Sequence, residues 1–272
     1  MFYPLRLPAQ GPLLTITHPS PSLWIIELHH GEDNRLTEHF VQSAILPALD
    51  HVELAWRNSL RDAKAKKDAE GGKGALVITG KKSQDKFFSN GFDYPEVLKI
   101  QGFIVNTYNV LMARLLSYPI PTVAAINGHV FAAGFILTLS CDYRVITSDK
   151  KRRVWGCMNE VHFGAPLPTS FSELLKRKSK DDQTLRKIVL EGHRFTPPEL
   201  LAAGLVDAVV DGGSEAVLAH AAELAEQWST NARTGVYGLI KKGIYREIIA
   251  STLLDPRTVY PDEEDRVTRA RL

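Results

Sequence analysis

Ala132-Ala133-Gly134 stands immediately before the apolar run Phe135-Ile-Leu-Thr-Leu139, and small residues there let another group approach the backbone closely. The free N–H groups of a helix's first turn, with the positive end of its dipole, suit a developing anion. Ala and Gly equally permit tight helix packing with no ligand, and both readings are open from these residues alone. His129, just upstream, is open to two roles: a base, or a side chain satisfied at its turn. Cys141 and Cys157 sit on apolar stretches without metal-ligand spacing and read as buried thiols of a reducing compartment, so no metal site is expected.

The elements that must position these residues follow from the pattern around them. Pro121-Thr-Val-Ala-Ala-Ile126 is a short β-branched run and Asn127-Gly128 a turn signal, so residues 125–142 predict a buried strand, a tight turn and the start of an apolar helix. Further strands are expected at Leu14-Thr-Ile-Thr17, Leu23-Trp-Ile-Ile-Glu-Leu28, Ala75-Leu-Val-Ile-Thr79, Tyr143-Arg-Val-Ile-Thr147 and Arg153-Val-Trp155. Thr37 reads as the N-cap of a long helix that Pro47 kinks or restarts and Gly71-Gly72-Lys73-Gly74 ends. A helix is also expected over residues 101–116. From about Phe171 onward the pattern turns helical, with segments at 197–203, 214–230 and 236–250. Strands alternating with helices and then a helical tail predict an α/β core over residues 1–200 and an α-helical region over residues 201–272.

Composition bounds the function. The chain has 272 residues, enough for a sizeable core, and its formal net charge of +2 gives no reason to expect a nucleic-acid partner. The basic residues near Arg57 to Lys73 alternate with acidic ones, as a solvated helix face does. A second cluster is Lys150-Lys-Arg-Arg153. No run approaches the roughly 20 apolar residues of a membrane span, and the N-terminus lacks a signal-peptide core. The final Ala270-Arg271-Leu272 is similar in type to the peroxisomal Ser-Lys-Leu address.

Three blocks in order carry a family pattern: Phe88-Ser-Asn-Gly-Phe-Asp-Tyr94; then Pro121 to His129 with Ala132-Ala-Gly134 and Cys141-Asp142; then Cys157-Met-Asn-Glu-Val161 with Gly164. Over residues 13 to 250 the chain resembles the crotonase superfamily, the enoyl-CoA hydratases and isomerases, and most closely the peroxisomal type of Δ3,Δ2-enoyl-CoA isomerase. The resemblance implies a spiral of repeated ββα units, two roughly perpendicular sheets, and C-terminal helices that build homotrimers or dimers of trimers. It implies thioester-enolate chemistry without a metal or redox cofactor, coenzyme A being part of the substrate.

Such chemistry requires negative charge on the thioester oxygen to be held more strongly in the transition state than in the substrate. By block matching, the backbone N–H groups of Phe92 and Ala133 correspond to the family's oxyanion hole, although the family more often has a small residue at the first position and glycine at the second. Hydratases of the family carry two glutamates that hold a water. Here the first position is Ile136 and the second is Glu160, so the resemblance implies a lone carboxylate that shuttles a proton. Phe163, Val161 and Trp155 would surround it with apolar groups and raise its pKa towards neutrality. A cap of a turn, or a pair with Arg153, is the structural alternative.

For the acyl-CoA, the resemblance implies contacts from Ser89, Asn90, Gly91, Asp93, Tyr94 and Gly134, with Arg35 or Lys241 as candidates for the phosphates. Asp93 and Asp142 read equally as turn and helix-end residues. The apolar face Val217, Leu218, Ala221, Leu224 and Trp228 is expected to cover the site and pack between subunits. With the family, the C-terminal tail and Arg269 imply a peroxisomal import receptor as partner and a peroxisomal location, cytoplasmic being the alternative. The resemblance implies isomerisation of 3-enoyl-CoA to the trans-2 form in β-oxidation; the alternatives are an isomerase or hydratase-like reaction on a specialised acyl-CoA, or acyl-CoA binding without catalysis, against which the retained Glu160 speaks.

Overall fold

The structure, a computed structural model of the chain, describes residues 2–148, 152–254 and 260–271. In chain order its strands are β1 (Leu5–Leu7), β2 (Leu14–Ser20), β3 (Leu23–Leu28), β4 (Ala75–Thr79), β5 (Phe87–Ser89), β6 (Thr122–Ile126), β7 (His129–Phe131), β8 (Tyr143–Thr147), β9 (Gly156–Cys157) and β10 (Ala208–Val210). Among the described residues they form a seven-stranded sheet in the order β1-β2-β3-β4-β6-β8-β10 and a three-stranded sheet in the order β5-β7-β9. Strands β1 to β3 pair antiparallel, and every later pairing is parallel.

That order is a spiral. The chain passes from β4 to β5, from β6 to β7 and from β8 to β9, each time leaving the large sheet for the small one before entering helix. The repeated ββα unit implied by the resemblance is therefore present. Every residue of β4 and β6 is buried, which is why Ala-Leu-Val-Ile-Thr and Thr-Val-Ala-Ala-Ile read as near-continuous apolar runs rather than alternating ones.

Several expectations are corrected. The helix Ser214–Trp228 lies on the large sheet of its own chain, where Val217, Ala221 and Ala225 pack on Ala75, Val77, Val123, Ala125 and Val145, with Leu218 and Leu224 beside them. Its apolar stripe covers a sheet face, which a fully buried parallel sheet demands, and does not lie over the site. The third short strand is Gly156–Cys157 rather than residues 153–155, because pairing with β7 engages Gly156 and Cys157. Strand β10, inside the stretch read as helical, pairs with β8; three residues are too few to show a period.

The long helix starts as expected from Thr37, whose side chain accepts the Phe40 N–H. Pro47 restarts it through a π-turn at Val41–Ile45, a way of accommodating a residue that cannot donate to the preceding turn. It ends at Lys66, before the glycines, because Lys67 adopts a left-handed conformation. The helical segment before Pro119 is likewise a π-turn at Ile104–Tyr108 followed by an α-helix at Asn109–Leu116. The segment expected over 236–250 divides at Tyr245 into the helices Tyr237–Ile244 and Arg246–Thr252. The C-terminal helix Pro261–Ala270 has no buried residue, and Leu272 lies outside the described residues, as do Lys150 and Lys151 of the basic cluster. Among the described residues no helix is long and apolar enough to cross a membrane, and no His, Cys, Asp and Glu cluster could hold a metal ion.

Candidate active site

Two neighbouring peptide planes are fixed by hydrogen bonds to their carbonyls. The carbonyl of Gly91 accepts the Leu36 N–H at 2.8 Å. In a trans peptide this directs the Phe92 N–H the opposite way. The carbonyl of Ala132 accepts the N–H groups of Phe135 (2.8 Å) and Ile136 (3.2 Å), so the Ala133 N–H projects from the start of the helix Ala133–Leu139. Among the described residues neither donor has a protein acceptor. The two segments adjoin: a Cβ placed on Gly91 would lie 3.2 Å from the Ala133 nitrogen.

Each segment is held from behind. Ala132 sits at φ 51°, a conformation that costs a non-glycine residue about 1–3 kcal/mol, and its own N–H is tied to Cys157 O at 2.8 Å. Tyr108 donates its hydroxyl to the Ala133 carbonyl. On the other side, Asn34 donates to the carbonyls of Leu28 and Phe88, and Arg35 Nη1 donates to the Phe92 carbonyl at 2.8 Å while its Nε pairs with Asp33 at 2.9 Å. Asn90 donates to the same Asp33 carboxylate at 2.8 Å. The Asn34–Arg35–Leu36 loop is thus a clamp on the Phe92 turn, a role visible only once the two loops are brought together in space.

Beside these donors is a cavity of about 680 Å³ with Glu160 on its wall. Glu160 is 9% exposed and begins the short helix Glu160–Phe163. Its Oε2 is buried without a hydrogen-bond partner among the described residues, and no ion pair with Arg153 is present among them. Burial pushes its carboxyl up to about 7, against a smaller lowering by a backbone hydrogen bond. Neither cap nor salt-bridge role accounts for it. The apolar setting is real but differs in membership from the expected one. Phe163 is on the cavity wall with Phe92, Phe103, Phe131 and Phe171, whereas Val161 is half exposed and Trp155 stacks on His129 elsewhere.

Of the residues named from the sequence, Arg35, Asn90, Phe92, Tyr94 and Glu160 line this one cavity. Gly91 and Ala133 adjoin it through backbone, with Phe131 and Ala132 forming the wall in front of the fully buried Ala133. The others are not brought to it. Ser89 is buried and donates its hydroxyl to Asn34 O at 2.8 Å, and Gly134 passes so close to Ser89 that a Cβ would meet Ser89 O at 2.7 Å. Both support the turn from beneath. Asp93 opens the helix Tyr94–Val97 through its carbonyl, which accepts from Val97 at 2.9 Å.

Lys241 is a correction. Its side chain is 4% exposed and pairs with Asp142 Oδ1 at 2.8 Å while donating to Leu115 O at 2.9 Å, so its charge is spent inside the chain. Asp142 also accepts from the Thr122 N–H and hydroxyl, which ties the turn before β8 to the start of β6, the turn-stabilising role among those it was read for. His129 accepts the Trp155 N–H at 3.1 Å and is satisfied on β7. Ile136 is fully buried in the core, off the cavity wall. Glu160 is therefore the single carboxylate among the described lining residues.

Comparison with known proteins finds relatives in both sequence and fold. The profile of a family described as enoyl-CoA hydratase/isomerase matches residues 53–252. The chain is 33% identical over 184 residues to "Enoyl-CoA delta isomerase 3" of Arabidopsis thaliana, covering 65% of this chain and 75% of that one. It is 32% identical over 195 residues to "Enoyl-CoA delta isomerase 2, peroxisomal" of the same plant, covering 68% and 79%. The crystal structure of an enoyl-CoA hydratase from Mycobacterium marinum superposes with a TM-score of 0.69 at 28% identity, covering 88% of this chain and 94% of that one.

Proposed function

The chain belongs to the enoyl-CoA hydratase/isomerase family, and on that premise we propose that it is a Δ3,Δ2-enoyl-CoA isomerase acting in fatty-acid β-oxidation. The observation that carries this reading is the solitary Glu160 on a cavity wall beside the Phe92 and Ala133 N–H groups. The thioester oxygen accepts from both donors, and loss of one such donor typically costs about 3 kcal/mol of barrier. The Glu160 carboxylate removes a proton from C2, and the C–H electron pair becomes the enolate conjugated with the C3–C4 double bond. The same carboxyl returns the proton at C4, leaving the double bond at C2–C3. Atoms balance within one substrate, so the reading requires no metal or redox cofactor.

Hydration needs a second group to orient water, and the position expected for it is Ile136 in the core. Assayed at one chain length, hydration of the trans-2-enoyl-CoA is expected to be at least about 100-fold slower than isomerisation of the 3-enoyl-CoA, the scale of one general acid/base group. Comparable rates would overturn the reading, and absence of any turnover would favour an acyl-CoA binder.

The same proposal extends to assembly and place. A homotrimer or dimer of trimers would bury the apolar residues Leu239, Ile240 and Ile244, which are exposed on the helix Tyr237–Ile244. The tail Ala270-Arg271-Leu272 begins at the last residue of a helix that has no buried residue, and we read it as similar in type to a peroxisomal address. Deleting these three residues is expected to leave sedimentation and isomerase activity unchanged while moving a fluorescent fusion from peroxisomes to cytosol. Peroxisomal retention of the truncated fusion would remove the tail as the address.

A further inference from the structure

The cavity wall carries a polar pair that the isomerase chemistry does not use. Asn109, on the helix Asn109–Leu116, and Ser170, in the first turn of the helix Thr169–Lys178, both line the cavity although they are 2% and 1% exposed. Ser170 donates its hydroxyl to Asn109 Oδ1 at 2.7 Å, and Asn109 Nδ2 donates to the Thr252 carbonyl at 3.0 Å. An amide offers two donors and two acceptor sites, and a hydroxyl one donor and two acceptor sites. One Nδ2–H, one lone pair of Oδ1 and the lone pairs of Ser170 Oγ are therefore left without a protein partner among the described residues. Around them the wall is apolar, with Ile104, Leu167, Phe171 and Leu254. An unsubstituted alkyl chain leaves that capacity idle, and an apolar pair of the same size would line an alkyl tunnel at lower cost.

We infer that Asn109 and Ser170 recognise a hydroxyl on the distal part of the acyl chain, so that the enzyme takes hydroxylated enoyl-CoA substrates in preference to plain ones. A hydroxyl is the group that matches both kinds of open site: it accepts the free Nδ2–H of Asn109 and donates to a lone pair of Ser170 Oγ, Asn109 Oδ1 being engaged by Ser170. The inference rests on the acyl-CoA reading of the cavity but not on turnover. Because Asn109 and Ser170 satisfy one another in the free protein, a plain chain orphans neither completely. The preference is accordingly the small net gain of exchanging the hydroxyl's bonds to water for these two, about tenfold, rather than the far larger discrimination of a site left wholly unpaired.

The test is calorimetric. Hexanoyl-, octanoyl- and decanoyl-CoA are compared with their ω-hydroxy analogues on the intact protein, and isomerisation of 3-hexenoyl-CoA is measured alongside. At the length whose hydroxyl reaches the pair, the hydroxylated thioester is expected to bind about tenfold tighter than its alkyl parent. Ser170→Ala is expected to reduce that ratio to below about threefold, and Asn109→Leu to abolish it. Since Asn109 also holds the Thr252 carbonyl and its loss can unfold the helix pair, the decisive variant is Ser170→Ala. A ratio near one at every length, or an undiminished ratio in Ser170→Ala, overturns the inference. Loss of 3-hexenoyl-CoA turnover with the ratio intact would instead overturn the isomerase reading alone.

Discussion

Glu160→Gln is expected to lower kcat for 3-hexenoyl-CoA isomerisation by at least about 100-fold while acyl-CoA affinity changes by less than about threefold. The amide keeps the size of the carboxyl and its capacity to accept a hydrogen bond but cannot take the C2 proton and return it at C4. Because Glu160 is the single carboxylate among the described wall residues, no neighbour is placed to substitute for it. Its carboxyl at about 7 also fixes the pH profile. The base must be ionised to act, so kcat/KM should rise with pH through about 7 and level off above it. Turnover of the variant within a few-fold of the parent would show that another group moves the proton.

The same group has a stability consequence of opposite sign. The carboxyl is raised from an ordinary 4.5 to about 7 in the folded chain, so between those values the folded state binds more protons than the unfolded one. Stability attributable to Glu160 is fully present below pH 4.5 and falls as pH rises through about 7, by on the order of 3 kcal/mol. Glu160→Gln should therefore melt higher than the parent at pH 8, with the gap closing towards pH 4.5. A residue that served folding would show the reverse, a variant both less stable and less active at pH 8. Thermal melts at the two pH values separate the cases.

What was legible in the sequence was what local pattern determines. Apolar, β-branched runs of five residues gave β4, β6 and β8, the first two bounded by Gly or Pro, and the two peptide donors fall in blocks that small residues mark. Elements whose reason is not local were hidden. Strand β10 is three residues long and exists because β8 offers it an edge, and the helix Ser214–Trp228 has an apolar stripe that fits its own sheet as well as it would fit a second subunit. Charge was misleading for the same reason. Lys241 looks like a phosphate ligand until Asp142, 99 residues away in the chain, is brought against it. Arg35, a candidate phosphate contact, also donates to the Phe92 carbonyl while lining the cavity, a second role that no spacing within one loop could reveal.

If the proposed mechanism holds, Gly91→Ala should cost about 100-fold in kcat, because the Gly91 turn and the Ala132–Ala133 peptide approach more closely than an added side chain permits. Gly91 has φ +78°, and an added Cβ would come 2.9 Å from Ala132 Cβ, 3.0 Å from Phe131 O and 3.2 Å from the Ala133 nitrogen. Those neighbours are backbone, or a Cβ fixed to it, and cannot rotate away as the end of a long side chain could. Either the Phe92 turn, clamped by Arg35 and Leu36, or the Ala132–Ala133 peptide must move. Both carry a donor, so whichever yields, one N–H leaves its alignment with the thioester oxygen. Full loss of one donor is worth roughly 10²–10³ in kcat, and a displaced one falls towards that range. The left-handed φ itself costs alanine about 1–2 kcal/mol of stability, which must be separated from the effect on the donors. Gly204→Ala provides that separation: Gly204 has φ +69° with nothing within 4 Å of an added Cβ, so it carries the conformational cost without a clash. Gly204→Ala is expected to lower the melting temperature by a similar amount and leave kcat within about twofold, since a change in φ alone strains no group of the site. If Gly91→Ala lost no more activity than Gly204→Ala, the N–H groups of Phe92 and Ala133 would not be the donors that hold the enolate oxygen.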